Sequence, residues 1–293
     1  MSRESWPIND RDAWLARRER DVTSTDAASL CGVGRKTRYQ LFCEKRLGLS
    51  VPVEENEAMR LGTRLEAPIA EHLALEHGME IEPFKDYIRI PEFRIGSSFD
   101  YRAKDRSYLL EIKLVGPQAM RDWQVTDYGL EAPIHIEAQV QTEMLCAEIP
   151  VCFIGVLCGT QTYLLRREFD QAVADRLQNE ARSFWESPQP EPDWQVDADF
   201  IIALRKQSAP GKVIQADARI EELMATYKAA GEWVRDYEKQ RDAARAELLT
   251  LIDDAERVEG SAYYALAKAQ PEVVVESFVR KASRPLRIYE RKS

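Results

Sequence analysis

No run of apolar residues in this sequence approaches the roughly 20 that a membrane-crossing helix requires, although 44% of its 293 residues are hydrophobic. A helical membrane protein is therefore not expected. The opening stretch, MSRESWPINDRDAW, also lacks the apolar segment of a secretory signal. Its five cysteines, at positions 31, 43, 146, 152 and 158, form an odd set with no paired framework. A disulfide-stapled secreted domain is thus not expected, and a reducing cytoplasm is the expected compartment. Surplus positive charge is missing too, since the formal net charge is −9. That weighs lightly against a nucleic-acid partner, because affinity follows local basic surface more than net charge. Basic clusters do occur, at Arg17-Arg18 with Arg20, Arg35-Lys36 with Arg38, Arg166-Arg167, and Arg280-Lys281 with Arg284 and Arg287. Taken singly, each reads as the solvated face of a helix.

The length suits one large domain, or one domain with an appendage. A composition break falls at 186–199, ESPQPEPDWQVDAD, where Pro188, Pro190 and Pro192 favour an extended linker. The expected organisation is an α/β core over 1–186, a linker over 187–199 and an appendage over 200–293. In the core, residues 10–20, 25–48 and 57–78 read as helices, the last ending at Gly78. Residues 79–90, 93–103 and 107–115 read as strands, and 133–148 as a helix with Pro133 in its first turn. VCFIGVLC, 151–158, is apolar throughout, as in a strand covered on both faces. A strand over 161–167 and a helix over 170–185 complete the core.

Beyond the linker the texture changes. From Ile220, Leu223, Tyr227 and Ala230 to Val258, apolar residues recur at alternating spacings of three and four, with Arg241 as one charged interruption. A helix over about 217–256 would be roughly 60 Å long. Two arrangements stay open: a protruding or partner-binding coiled coil, or a hairpin broken at Gly231 and folded on its own domain. SAYYALAKAQ, EVVVESFV and LRIYE then suggest a small closing sheet.

The chemistry-bearing residues lie in the core. Side chains on a strand alternate faces, so Glu111 and Lys113 share one face while Ile112 points the other way and leaves its carbonyl as a further oxygen donor. Lys104-Asp105-Arg106-Ser107 makes a hairpin turn that can bring Asp100 beside Glu111. Two carboxylates that close raise each other's pKa unless a cation lies between them. Hard oxygen donors of this kind suit magnesium or manganese. Lys113 would then orient or deprotonate an attacking water, or offset charge on a phosphate. Glu66 could add a ligand through water, and Gln139 could hold the water or the lysine. The competing reading is a surface salt-bridge trio, but Glu111 interrupts an apolar strand, where an unpartnered charge is costly.

Read in order, Gly62-x3-Glu66, Asp100, Glu111-Ile112-Lys113 and Gln139-Val140-Gln141 resemble the PD-(D/E)XK nuclease superfamily, and within it the YqaJ-like, lambda-exonuclease-like viral recombinases. The resemblance covers about residues 10–185. It implies a restriction-endonuclease-like core, a mixed central sheet flanked by helices. Asp100, Glu111 and the Ile112 carbonyl would hold two magnesium ions, with manganese as a substitute, while Lys113 assists the nucleophile and Glu66 and Gln139 support the site. It further implies an Arg18…Thr25 pocket for a terminal 5′-phosphate, with Ser24 or Thr25 otherwise read as an N-cap. Met59 would fall where an apolar wedge splits the end base pair, or else be a core methionine. Phe99 stands where the superfamily pattern has proline.

The implied activity is a magnesium-dependent exonuclease that resects linear duplex 5′→3′ for phage-type recombination. Its partners would be DNA ends and a single-strand annealing protein within a bacterial host cell. It would be a homo-oligomer, a trimer by resemblance, although the residues after the linker have no counterpart in the family from which to carry that number over. The alternatives are an endonuclease of the same superfamily and a non-catalytic DNA-end or partner-binding module. An iron–sulfur cluster is not expected, because Cys146, Cys152 and Cys158 are evenly spaced and lie in apolar surroundings.

Overall fold

The structure is a computed structural model that describes residues 1–52, 54–126 and 129–269. The chain divides into two units, Met1–Leu204 and Arg205 onward. Each is described by itself.

The first unit opens with strand β1 (Glu4–Pro7) and helix α1 (Arg11–Glu19), whose N-terminus is capped by the Asp10 carboxylate. A two-residue strand β2 (Val22–Thr23) runs directly into α2 (Ser24–Leu30), and α3 (Arg38–Leu47) follows. The single helix expected over 25–48 is therefore two. Gly32 takes a left-handed φ of +73°, and the Gly34 Cα lies so close to Ser29 that a β-carbon would sit 2.4 Å from the Ser29 nitrogen. Both glycines serve the break. Helix α4 (Glu57–His77) starts on an Asn56 cap and ends at left-handed Gly78.

Four short strands come next: β3 (Ile81–Pro83), β4 (Asp86–Ile90), β5 (Ile95–Ser98) and β6 (Tyr101–Ala103). They lead to β7 (Leu109–Leu114). The strands expected over 79–90 and 93–103 are each cut in two, at Phe84 and at Phe99-Asp100. These two phenylalanine rings stack at 4.6 Å between centroids, and the Phe84 N–H donates to the Asp100 carbonyl at 3.0 Å. The paired rings make a corner, and the chain changes sheet on both sides of it. A small hairpin, β8 (Gln124–Thr126) with β9 (Gly129–Glu131), precedes the buried helix α5 (Ile134–Ala147). Strands β10 (Val151–Cys158) and β11 (Gln161–Glu168), then helices α6 (Gln171–Glu186) and α7 (Ala198–Leu204), complete the unit.

One sheet has the order β1-β4-β5-β2 and the other β11-β10-β7-β6-β3. The second is mixed: β7 and β10 run parallel, as a helical crossover between them requires, and its other pairs are antiparallel. That crossover is α5, which packs on β4 and β5 of the first sheet, on β10 of the second and on α2. Helix α4 packs on β7 and β10. It comes close because position 155 lacks a side chain; a β-carbon there would meet Leu73 at 2.5 Å. The architecture is thus the mixed α/β core with flanking helices that the sequence implies.

The end of this unit lies later than the expected linker. Asp197 is fully buried and accepts hydrogen bonds from the Thr37 hydroxyl at 2.6 Å and the Gln40 amide at 3.0 Å. Phe200 meets Tyr39 edge to face. These contacts tie 193–204 to the start of α3.

In the second unit, α8 (Ala218–Ile252) is one uninterrupted helix of 35 residues. It passes straight through Gly231, so the hairpin broken at that glycine does not form. The helix ends at Asp253, leaving Ala255 and Val258 beyond it. The hairpin β12 (Arg257–Glu259) with β13 (Tyr264–Leu266) follows. The strands expected in EVVVESFV and LRIYE lie outside the described residues. Among the described residues no helix is long and apolar enough to cross a membrane.

Candidate active site

Strand β7 and the corner before β6 form the floor of the site. Tyr101 pairs with Leu110 and Arg102 with Leu109, which carries Asp100 to the level of Glu111. Asp100 is not inside a strand, as the sequence reading had it, but on the bend between β5 and β6. From there its carboxylate accepts the Ile112 N–H at 2.8 Å. Val115, an odd-numbered neighbour, gives its N–H to Leu157 of β10. By alternation the even-numbered Ile112 turns both backbone groups away from β10, so its carbonyl opens on the edge where Asp100 sits.

Glu111 is 5% exposed. Its Oε1 accepts from the Lys113 ammonium at 2.7 Å and from the Gln139 amide at 2.6 Å, and Lys113 donates a second bond to the Gln139 Oε1 at 3.1 Å. Gln139 projects from α5 into the strand that carries the carboxylate, closing a three-membered hydrogen-bonded ring. Glu66 stands on α4, half-buried. Burial first, and the Glu111 charge second, push its carboxyl above the ordinary range. Burial together with the charges of Glu111 and Glu66 raises Asp100 well above the usual carboxylate value. Desolvation works to lower Lys113, but Glu111, Glu143 and Asp100 outweigh it and hold the side chain as an ammonium.

Glu143 was not singled out by the sequence reading. It lies one turn beyond Gln139 on α5, 2% exposed, and accepts from the Gln139 amide at 2.9 Å. Ser24 bonds to the same carboxyl, and the Ser97 hydroxyl donates to Ser24 at 2.8 Å. Burial, then the Glu111 charge, raises Glu143 strongly. The signal available in sequence was the i,i+4 spacing of Gln139 and Glu143 on a helix expected to be buried.

The ring faces a cleft of about 350 Å³ whose walls include Thr25, Arg35, Lys36, His135, Lys113 and Gln139. Arg35 and Lys36, noted only as one basic cluster among several, thus stand across from Lys113. Thr25 is exposed at the start of α2, its hydroxyl 2.9 Å from that of Thr23. The N-cap is Thr23, not Ser24 or Thr25: Thr23 and Asp26 form a capping box. Arg18 does not line the cleft. It donates to the Ser98 hydroxyl at 3.0 Å and stacks on Trp14, and burial lowers its pKa against the opposing pull of the Asp26 charge. Met59 is 45% exposed in the first turn of α4, so the core-methionine alternative does not hold.

Among the described residues no three His, Cys, Asp or Glu side chains converge tightly enough to enclose an ion alone. Asp100, Glu111 and the Ile112 carbonyl nevertheless fit a hard divalent cation. They are all-oxygen donors in mutually repelling surroundings, and magnesium keeps several waters and needs only one or two carboxylates. Cys146 and Cys152 are fully buried and Cys158 is partly so.

Residues 13–150 match the model of the YqaJ-like viral recombinase domain. The match spans the first carboxylates, the β7 triplet and the glutamine helix alike. It lies within the residues, about 10–185, over which the sequence resembles the YqaJ-like viral recombinases, and bears that resemblance out. The uncharacterised protein YqaJ of Bacillus subtilis (strain 168) is 22% identical over 255 residues, 84% of this chain and 79% of the relative. Two crystal structures of an alkaline exonuclease, LHK-Exo from Laribacter hongkongensis, share 22% identity and cover 67% of this chain and 97% of theirs. The TM-score is 0.49 for one and 0.50 for the one in complex with dAMP. The likeness to the latter is one of fold.

Proposed function

We propose that residues 1–204 form a divalent-metal-dependent deoxyribonuclease that degrades linear duplex DNA from its ends. The observation that carries this reading is the buried Asp100–Glu111–Lys113–Gln139 arrangement facing a cleft with Arg35, Lys36 and His135 on its walls. Like-charged carboxylates buried together, beside the Arg35 guanidinium and the Lys113 ammonium on the cleft wall, suit phosphodiester hydrolysis better than a structural ion pair. The match to a viral recombinase domain supports the same reading, as does the exonuclease activity named for LHK-Exo.

In this reading Asp100, Glu111 and the Ile112 carbonyl hold magnesium, with Glu66 contributing through water. The bound metal would lower the pKa of a water and offset charge on the scissile phosphate. Lys113, kept cationic by its carboxylates, orients that water and the phosphate rather than taking the proton. Gln139 fixes the Lys113 ammonium and the Glu111 carboxylate against one another. Thr25 on the cleft wall holds the terminal 5′-phosphate, joined by Arg18 once its guanidinium turns from Ser98, and Met59 meets the end base pair. The finer expectations are 5′→3′ polarity, delivery of the 3′ overhang to a single-strand annealing protein, and action as a homo-oligomer.

End-labelled linear duplex, bearing 5′-phosphate or 5′-hydroxyl ends, tests these points in magnesium and in EDTA. Degradation is expected with magnesium alone, faster from phosphorylated ends and absent on closed circular duplex. Lys113→Ala and Glu111→Ala are expected to abolish it in folded protein. Full activity in either would sink the site. An end preference unchanged in Arg18→Ala would remove Arg18 from the phosphate pocket.

A further inference from the structure

We propose that α8 pairs with α8 of a second copy of this chain, side by side and antiparallel, along its apolar seam. This inference does not depend on the chemistry assigned to the first unit. None of the residues of α8 is buried; Leu223 is 50% exposed, Tyr237 69% and Leu251 76%. A helix of this length whose apolar stripe is left exposed among the described residues has little to hold it in water, because most helical stability comes from packing such a face.

Complementarity along the seam identifies the occupant. Two antiparallel copies centred between Arg235 and Asp236 bring every seam residue opposite one that suits its size. Tyr227 then faces Ala244, and Arg241 faces Ala230, a large side chain against a small one in each case. Leu223 meets Leu248 and Ile220 meets Leu251 at both ends, while Val234 meets Tyr237 beside the axis. Parallel copies in register would instead set each residue on itself. Arg241 would press on Arg241, Tyr227 on Tyr227, and Ala230 and Ala244 would leave gaps.

The flanking charges point the same way. The antiparallel arrangement sets Arg219 opposite Glu247 twice, once at each end. The parallel one would give Arg219 a methionine, Met224, and Glu247 an isoleucine, Ile252. In the single chain Arg219 bonds Glu222 at 2.7 Å, an exposed pair of small worth. One like-charge contact remains, Glu238 against its own copy near the axis, three residues from the Arg241 of the same helix. The arrangement is two-fold and closed, so each α8 takes one partner helix and no more.

Cross-linking distinguishes the arrangements in the full-length chain. Ile220→Cys and Leu251→Cys chains are oxidised mildly, separately and mixed, with the unsubstituted chain as the background for its native cysteines. A linked dimer in the mixture alone is the expected result. Linking of Ile220→Cys with itself to the same extent would establish a parallel pair and overturn the proposal. Light scattering completes the test. The chain is expected to associate through α8 at micromolar concentration, and Leu223→Asp with Leu248→Asp should weaken that association at least tenfold, with part of the helix content lost by circular dichroism. A monomer would mean that the seam is covered otherwise, and an oligomer indifferent to these aspartates would place association elsewhere. Either result overturns the proposal.

Discussion

Gln139 holds two carboxylates at once, giving one amide hydrogen to Glu111 and the other to Glu143, while its carbonyl takes the Lys113 ammonium. No other side chain type of that size can donate twice and accept in one plane. Gln139→Ala leaves buried acceptors without donors, which costs about 1–3 kcal/mol. It also frees Lys113 to swing. We expect urea denaturation to show that loss, and digestion of linear duplex to slow by roughly 10- to 100-fold, the usual effect of removing a partner that orients a ligand. Gln139→Glu, which keeps the shape but substitutes an acceptor for the donor, should be no better than alanine in the digestion assay. At this scale the sequence was informative where periodicity alone decides. Glu111 and Lys113 share a face because they are two apart on a strand, and the turn at 104–107 sets Asp100 level with Glu111. Glu143 was not legible, because nothing local says that a glutamate may be buried; Ser24, Gln139 and Ser97 make it tolerable, and two of those arrive from other elements.

Helix α4, which carries Glu66, packs on β10 over Gly155. A methyl group at 155 would meet the Leu73 Cδ1 at 2.5 Å and the Ile112 Cδ1 at 3.0 Å, so these buried side chains would have to change rotamer. Gly155→Ala is therefore expected to destabilise the first unit by about 1–3 kcal/mol, read by urea denaturation. Glycine in an apolar strand was visible in the sequence, but the helix it admits was not. The same holds for the cut strands. Runs 79–90 and 93–103 each read as one strand from their residues, and only the stacking of Phe84 on Phe99, from different strands, turns both at a corner. By contrast the helix read over 57–78 was plain, with Gly78 marking its end by local chemistry alone; its Asn56 cap emerged only in the structure.

For the whole molecule, the decisive boundary is Leu204. The prolines at 188–192 break the helix as expected, but the chain returns to the core through Asp197 and Phe200. A chain ending at Leu204 is expected to keep its thermal midpoint and its digestion of linear duplex. One ending at Glu186 should melt several degrees lower, because it leaves the Thr37 and Gln40 side chains without their buried acceptor and uncovers Tyr39. Comparing the two by thermal melt and by digestion separates the role of 187–204 from that of 205–293. Loss of all DNA degradation in the chain ending at Leu204 would assign the second unit a direct part in the reaction.

The corner at Phe99-Asp100 has a consequence for how the chain comes to be active. Asp100 stands between two sheets, Gln139 and Glu143 lie on the helix wedged between them, and Ser24 reaches that helix from the far side. Contacts separated by 73 residues, such as Ser97 with Ser24, are slow to form because the intervening loop must close first. A partly folded or still-emerging chain can therefore possess every residue of the constellation without its geometry. On the proposed activity, cutting would begin only once these contacts have formed, and its onset would report the completion of folding.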